Sequence, residues 1–171
     1  MKALLLIDYQ NDYFNGGKFP LWDTENVVKN STEAIKLCQA KGYLIIHVQH
    51  VANPALGLAP FFNKDTDGVK IYTEIVSAAP NSPVVIKDQA DSFLNTNLEK
   101  ILSENKVTDI IISGMMTQNC VTHTAISKAA EKYKVSVLAD CCTTVDQMIH
   151  LIALGALSAR VEVKPFAEIL K

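Results

Sequence analysis

The stretch Ile110-Ile111-Ile112-Ser113-Gly114-Met115-Met116-Thr117-Gln118-Asn119-Cys120 decides the fold. Ile110–Ser113 is a short apolar run without polar alternation, the pattern of a strand buried on both faces of a parallel sheet. A glycine and a polar turn follow, and then Asn119–Tyr133 reads as a helix. Working outward, the same rhythm recurs along the chain. Ala3–Ile7, Leu44–Val48, Val84–Ile86, Val135–Leu138 and Val161–Val163 supply five more short apolar runs. Between them lie helical patterns at Thr24–Lys41, Thr96–Asn105 and Thr144–Ala159, with Gly42 placed to end the first. Strands alternating with helices predict an α/β fold: a doubly wound, mostly parallel six-stranded sheet with helices on both faces, a Rossmann-like three-layer αβα arrangement.

No linker or repeat divides the chain, so residues 1–171 are expected to form a single domain, in keeping with ~100–200 residues per domain. The segment 52–83 breaks the rhythm. It carries Pro54, Pro60, Pro80 and Pro83 with Gly57 and Gly68, and reads as a long loop with a short helix. Loops of that length serve as lids, interface arms or disordered segments.

Composition excludes several classes. Hydrophobic residues make up 49% and charged residues 20%, which is too apolar for a disordered chain. Sixteen Lys and Arg against eighteen Asp and Glu give a net charge of -2, so no basic footprint points to nucleic acid or to an acidic membrane surface. No run approaches the ~18 apolar residues of a membrane helix, and the N-terminal run Ala3–Ile7 is short for a signal peptide. Four cysteines, Cys38, Cys120, Cys141 and Cys142, are too few for a disulfide scaffold and match no common zinc spacing. A cytoplasmic protein with reduced thiols is expected. The absence of a G-x-G-x-x-G turn after a strand, and of a P-loop, leads to an expectation of no cofactor.

Ligands of open parallel sheets bind beyond the carboxyl ends of the strands. Asp8 follows the first strand, Gln49-His50 the second, Lys87-Asp88 the third, Gly114 to Cys120 the fourth, and Asp140-Cys141-Cys142 the fifth. A carboxylate, an ammonium and a thiol at strand ends are the parts of an activated thiolate: an acid to take the proton and a cation to stabilise the sulfur anion. Taken singly, each residue has a structural reading. An aspartate after a strand caps a turn, a lysine there is solvated, and a lone cysteine is core. Three facing one crevice favour chemistry.

Three blocks in order resemble the isochorismatase-like cysteine hydrolase superfamily, which includes nicotinamidases, N-carbamoylsarcosine amidases and streptothricin hydrolases. They are Leu5-Leu6-Ile7-Asp8-Tyr9-Gln10-Asn11-Asp12-Tyr13-Phe14; Val85-Ile86-Lys87 with Asp91-Ser92-Phe93 and Thr96-Asn97-Leu98; and Gly114 to Val121 with Thr124-Ala125 and Val137 to Asp140. The resemblance implies a catalytic set of Asp8, Lys87 and Cys120, a cis peptide between Met115 and Met116, and an oxyanion hole from the backbone N–H groups of Met116 and Cys120. It also implies a small-molecule C–N hydrolase working through a thioester, and association into a homo-oligomer. In the expected mechanism Lys87 and the N-terminus of the following helix favour the Cys120 thiolate.

Nicotinamidases carry a metal-binding D-x-H after the second strand. His47-Val48-Gln49-His50-Val51-Ala52 has no aspartate, so no metal is expected and nicotinamide becomes a doubtful substrate. True isochorismatases lack the cysteine, so Cys120 argues against vinyl-ether cleavage.

Gln10, Phe14, His50, Thr117 and Asn119 are the pocket candidates. His123 lies one turn beyond Cys120, away from the helix N-terminus, and His150 sits in an apolar helix. One of Cys141 and Cys142 is placed near the pocket rim. Trp22 and Phe14 read as pocket wall, core or interface, and Phe61-Phe62 as pocket wall or partner contact. Two other readings stay open at this point: a redox protein built on a low-pKa Cys120, and a non-catalytic oligomeric member of the fold.

Overall fold

The computed structural model describes residues 1–171 and forms one six-stranded sheet in the order β3-β2-β1-β4-β5-β6, every pairing parallel. In chain order the elements are β1 (Lys2–Ile7), α1 (Thr24–Ala40), β2 (Leu44–His50), α2 (Thr73–Ala78), β3 (Val84–Lys87), α3 (Leu98–Glu104), β4 (Asp109–Met115), α4 (Thr122–Ala125), β5 (Lys134–Thr143), α5 (Gln147–Ser158), β6 (Glu162–Lys164) and α6 (Phe166–Ile169). A π-helical turn, Thr117–Val121, precedes α4, and a short 3-10 helix, Lys128–Lys132, follows it.

The central strands show why their sequences lack alternation. Leu4 and Leu6 of β1 pack into a cluster under α1, with Ile35, Cys38 and Ile111. Ala3, Leu5 and Ile7 pack on the opposite face with Leu98, Leu102 and Ile112. Both faces are covered, so every position from Ala3 to Ile7 is apolar. Each large side chain buried this way contributes about 1.5–3 kcal/mol.

Helix α1 ends where its sequence demands. The Gly42 N–H donates to Gln39 O (3.0 Å) and the Tyr43 N–H to Cys38 O (2.9 Å), with Gly42 at φ +68°. That is a Schellman closure, which places glycine in the left-handed region.

Several boundaries differ from the sequence reading. The helix expected over Asn119–Tyr133 is broken into the π turn, the four residues of α4 and the 3-10 helix. Local side chains divert its backbone. Thr122 Oγ1 donates to Thr117 O (2.6 Å), and Ser127 Oγ accepts from the Ala129 N–H (3.3 Å). Helix α3 starts at Leu98, not Thr96, because Thr96 Oγ1 accepts the Leu98 N–H (3.2 Å). Helix α5 starts at Gln147 behind Asp146, whose carboxylate caps the Ile149 N–H (2.9 Å). Strand β5 runs on to Thr143, so Asp140, Cys141 and Cys142 lie within the strand instead of beyond it. The short α6 carries no signal strong enough to read in the sequence.

The segment 52–83 is anchored at its base by the Ala52 N–H to Phe62 O bond (2.9 Å) and contains α2, the short helix expected there. Leu56 and Leu58 at its tip are exposed. No helix is long and apolar enough to cross a membrane.

Candidate active site

The strand order reverses between β1 and β4, since β1 leads to β2 on one side and β4 lies on the other. That switch point is where a crevice opens in such sheets. Gly114 lets the two strands approach there: at φ +130°, a Cβ on it would lie 2.0 Å from Ile7 O. The glycine in the decisive stretch is therefore a steric requirement.

Asp8 is the first residue past β1. Its N–H still donates to Val48 O (2.9 Å), its φ is +54°, and it is fully buried. Short polar side chains tolerate that left-handed backbone better than most residues. Lys87 closes β3 on the same face as buried Val85, which carries its ammonium under the crevice. Cys120 sits in the π turn that follows the cis Met115–Met116 peptide. The three meet.

Lys87 Nζ is 2.8 Å from Asp8 Oδ2, 3.1 Å from His50 Nδ1, 3.1 Å from Gln89 O and 3.2 Å from Cys120 Sγ. Four acceptors surround three ammonium protons, so one must always be shared or released. The sulfur is the weakest acceptor of the four. Asp8 Oδ1 is buried with no hydrogen-bond partner. A bare carboxylate oxygen beside a thiol, at a site otherwise tightly paired, is the natural seat for the thiol proton.

The charges set a neutral resting site. Burial pushes the Cys120 thiol up from its ordinary range and the Asp8 carboxylate pushes it further, against the pull of the Lys87 ammonium. Burial works against the Lys87 charge, but Asp8 and Cys120 outweigh it and Lys87 is raised. Burial, then Lys87, lowers His50. The resting set is carboxylate, ammonium, thiol and neutral imidazole. Lys87 pulls toward the thiolate, as expected, but burial and Asp8 outweigh it. The helix after Cys120 is too short for much of a dipole, and the nearby carboxylate opposes ionisation. The raised Cys120 thiol lends no support to a redox reading built on a low-pKa cysteine.

Asp8, His50 and Cys120 have ligand atoms within 4.8 Å of one another, the spacing of a metal site. The cation they surround is the Lys87 ammonium, 2.8–3.2 Å from all three. These residues do not suit a metal ion.

Other candidates fall in different places. His50 stands in the site. Gln10 is fully buried and does not line it: its amide clamps His50 through the His50 N–H (2.8 Å) and carbonyl (2.8 Å), and reaches Val69 O (2.7 Å). Phe14 stacks on Tyr72 (3.8 Å) and borders a separate depression of about 340 Å³ along α1. Thr117 directs its hydroxyl to His150 Nδ1 (2.9 Å), and Asn119 is half-buried next to Cys120. The Met116 N–H donates to no group of the chain.

His123 is exposed and bonds Asn119 O (2.9 Å). Cys141 and Cys142 are buried on opposite faces of the sheet, not at a rim. Phe62 joins Tyr13 in the core (4.5 Å) instead of reaching outward.

Two supporting groups were not singled out from the sequence. The Gln89 carbonyl bonds Lys87, a role that backbone atoms never announce in a sequence. Buried Asp12 accepts the N–H groups of Lys18 (3.2 Å) and Phe62 (2.7 Å), and its carboxylate fills the space a Cβ on Gly68 would need. The second acid of Asp8-Tyr9-Gln10-Asn11-Asp12 was the available signal. A depression of about 370 Å³ is lined by Asn53, Pro54, Ile86 and Lys87, whose side chain is itself sealed from solvent.

A parallel αβα sheet with an acid, a lysine and a cysteine converging at its switch point defines the class. The chain belongs to the isochorismatase family: the isochorismatase domain model matches residues 2–169. It is 35% identical over 148 residues to the isochorismatase family protein YddQ of Bacillus subtilis, covering 86% of this chain and 81% of that protein. It is 27% identical over 146 residues to a streptothricin hydrolase of Streptomyces noursei, covering 86% of this chain and 56% of that one. A crystal structure of a putative isochorismatase hydrolase from Oleispira antarctica superposes with a TM-score of 0.87 at 34% identity, covering 99% of this chain and 95% of the other.

Proposed function

We propose that this chain is a cysteine hydrolase that cleaves a C–N bond of a small amide, carbamoyl compound or lactam through a Cys120 thioester. The observation that carries this reading is the Lys87 ammonium, 2.8 Å from Asp8 and 3.2 Å from Cys120, beside a buried Asp8 oxygen with no partner.

The thiol proton passes to Asp8 as sulfur attacks the carbonyl carbon. Lys87, already between the two, stabilises the sulfur anion as it forms. The C–S bond forms, and the oxyanion is held by the N–H groups of Met116 and Cys120. A single such donor is worth ~100–1,000-fold in turnover. Asp8 returns the proton to the leaving nitrogen, and the C–N bond breaks. A water then gives its proton to Asp8 and attacks the thioester, the acid leaves, and the proton goes back to sulfur. The Asp8 and Lys87 charges cancel, which suits an uncharged reacting group.

The same reading has the chain associating with copies of itself. Its support is the apolar outer face of α5, where Met148, Leu151 and Ile152 are exposed.

The test is a screen of small amides, carbamoyl compounds and lactams with wild-type and Cys120→Ala protein. The expected result is hydrolysis of at least one class by the wild type and none above background by the variant. Full activity in the variant would sink the nucleophile assignment.

A further inference from the structure

His50 is held more firmly than a pocket wall requires. Gln10 clamps its backbone at both the N–H and the carbonyl (2.8 Å each). The Phe62 ring packs against the imidazole at 5.8 Å between centroids, and Phe62 is itself fixed by Asp12 (2.7 Å). On its other edge, Nδ1 lies 3.1 Å from Lys87 Nζ.

An ammonium has no lone pair, so Nδ1 must be the acceptor of that bond and carries no proton. Burial and the facing Lys87 charge keep the imidazole neutral. A neutral imidazole whose Nδ1 is bare has its proton on Nε2. That Nε2 makes no hydrogen bond within the chain, and it is not among the sealed polar atoms. The site therefore presents a donor with its backbone, ring face and tautomer all set, and nothing of the protein to receive it.

We propose that His50 is a specificity-determining residue whose Nε2–H, oriented by Gln10, Phe62 and Lys87, donates to a carbonyl-type oxygen of the substrate. This rests on the hydrolase reading for the identity of the substrate class, but not for the state of the imidazole. A preorganised donor discriminates because ligands without an acceptor leave it desolvated and unpaired. Lys87 would then have two tasks, meeting the sulfur anion and fixing the tautomer of the residue that seats the substrate.

The experiment is ¹⁵N NMR of histidine-labelled protein, with acetamide and benzamide as probes in the Cys120→Ala background so that the amide stays intact. The expected result is a single His50 tautomer, Nε2 protonated and Nδ1 bare, with the Nε2 proton signal moved by at least one amide. Kinetics on the best amide of the screen give the second readout. His50→Asn can keep an acceptor near Lys87 but is too short to place a donor at the Nε2 position, and should lose roughly 3- to 10-fold in kcat/KM through KM, the size of one neutral hydrogen bond. His50→Gln, which restores a donor near the Nε2 position, should recover most of it.

A protonated Nδ1, a mixture of tautomers, no response to either amide, or a loss confined to kcat would overturn the proposal. A chain inactive on every amide whose His50 still shows one tautomer and a ligand-shifted Nε2 proton would sink the hydrolase reading and leave this one standing.

Discussion

Asp8→Asn should make Cys120 more reactive toward an alkylating agent while abolishing hydrolysis. In the native site one buried carboxylate balances one buried ammonium, and the thiol stays neutral. The asparagine removes the anion and keeps the shape. Lys87 then has a single candidate counter-charge, the sulfur 3.2 Å away. Asp8 and Cys120 carry atoms within 4.8 Å of each other, so at an effective dielectric of 20 the lost repulsion is about 3.5 kcal/mol. That is a few-hundred-fold in the ratio of thiolate to thiol. A more acidic thiol is also a poorer nucleophile, with a Brønsted slope of ~0.4–0.5, which leaves a net rise of roughly 20-fold in alkylation rate. The assay is iodoacetamide labelling at neutral pH, with Cys120 read by peptide mass spectrometry and buried Cys38 as the internal reference. An Asp8→Asn rate equal to or below the wild type would refute the charge balance on which the mechanism stands.

Other perturbations follow from the same contacts. Lys87→Met should abolish hydrolysis and lower the free energy of unfolding by about 3–5 kcal/mol in urea titration, because it strands a fully buried Asp8 carboxylate. Gly114→Ala should cost at least about 3 kcal/mol or prevent folding, read by expression and thermal melting, since its Cβ meets Ile7 O at 2.0 Å in a left-handed backbone. His47, His50 and His150 are each lowered by burial, so the unfolded chain takes up their protons first as pH falls. Stability should be full above about pH 6.5 and decline below it through the lower folded values, and the slope should shrink in His47→Gln. Unfolding free energies that stay level from about pH 7 to 5 would contradict this assignment.

The sheet was legible because parallel strands covered on both faces must be apolar at every position. Leu4, Leu5 and Leu6 fit that pattern, with Leu4 and Leu6 on one face and Leu5 on the other. Gly42 was legible as a helix end for an equally local reason. The helix after Cys120 was not: Thr122, Thr124 and Ser127 look compatible with a helix one by one, and only their partners at Thr117, Ser92 and Asp91 show why it breaks.

Of the site, Asp8, Lys87 and Cys120 could be named because each lies at or shortly past the end of a strand, and the fold brings strand ends together. Gln10 was misplaced as a pocket residue because a polar side chain beside a catalytic acid gives no sign of which way it faces. In the fold it points back to the His50 backbone. The protonation of Cys120 is not legible in the sequence for a related reason. A sequence counts one acid and one base near a thiol, but whether that thiol rests as an anion depends on burial and on distances of 2.8 and 3.2 Å.

The most direct test of the central claim is intact-protein mass spectrometry during turnover of an active amide, quenched with acid. The account predicts an adduct of the acyl mass, mapped to Cys120, lost in Cys120→Ala and enriched when the competing nucleophile hydroxylamine is withheld. Steady hydrolysis with no acyl adduct on Cys120, or an adduct on Cys38, Cys141 or Cys142, would contradict it.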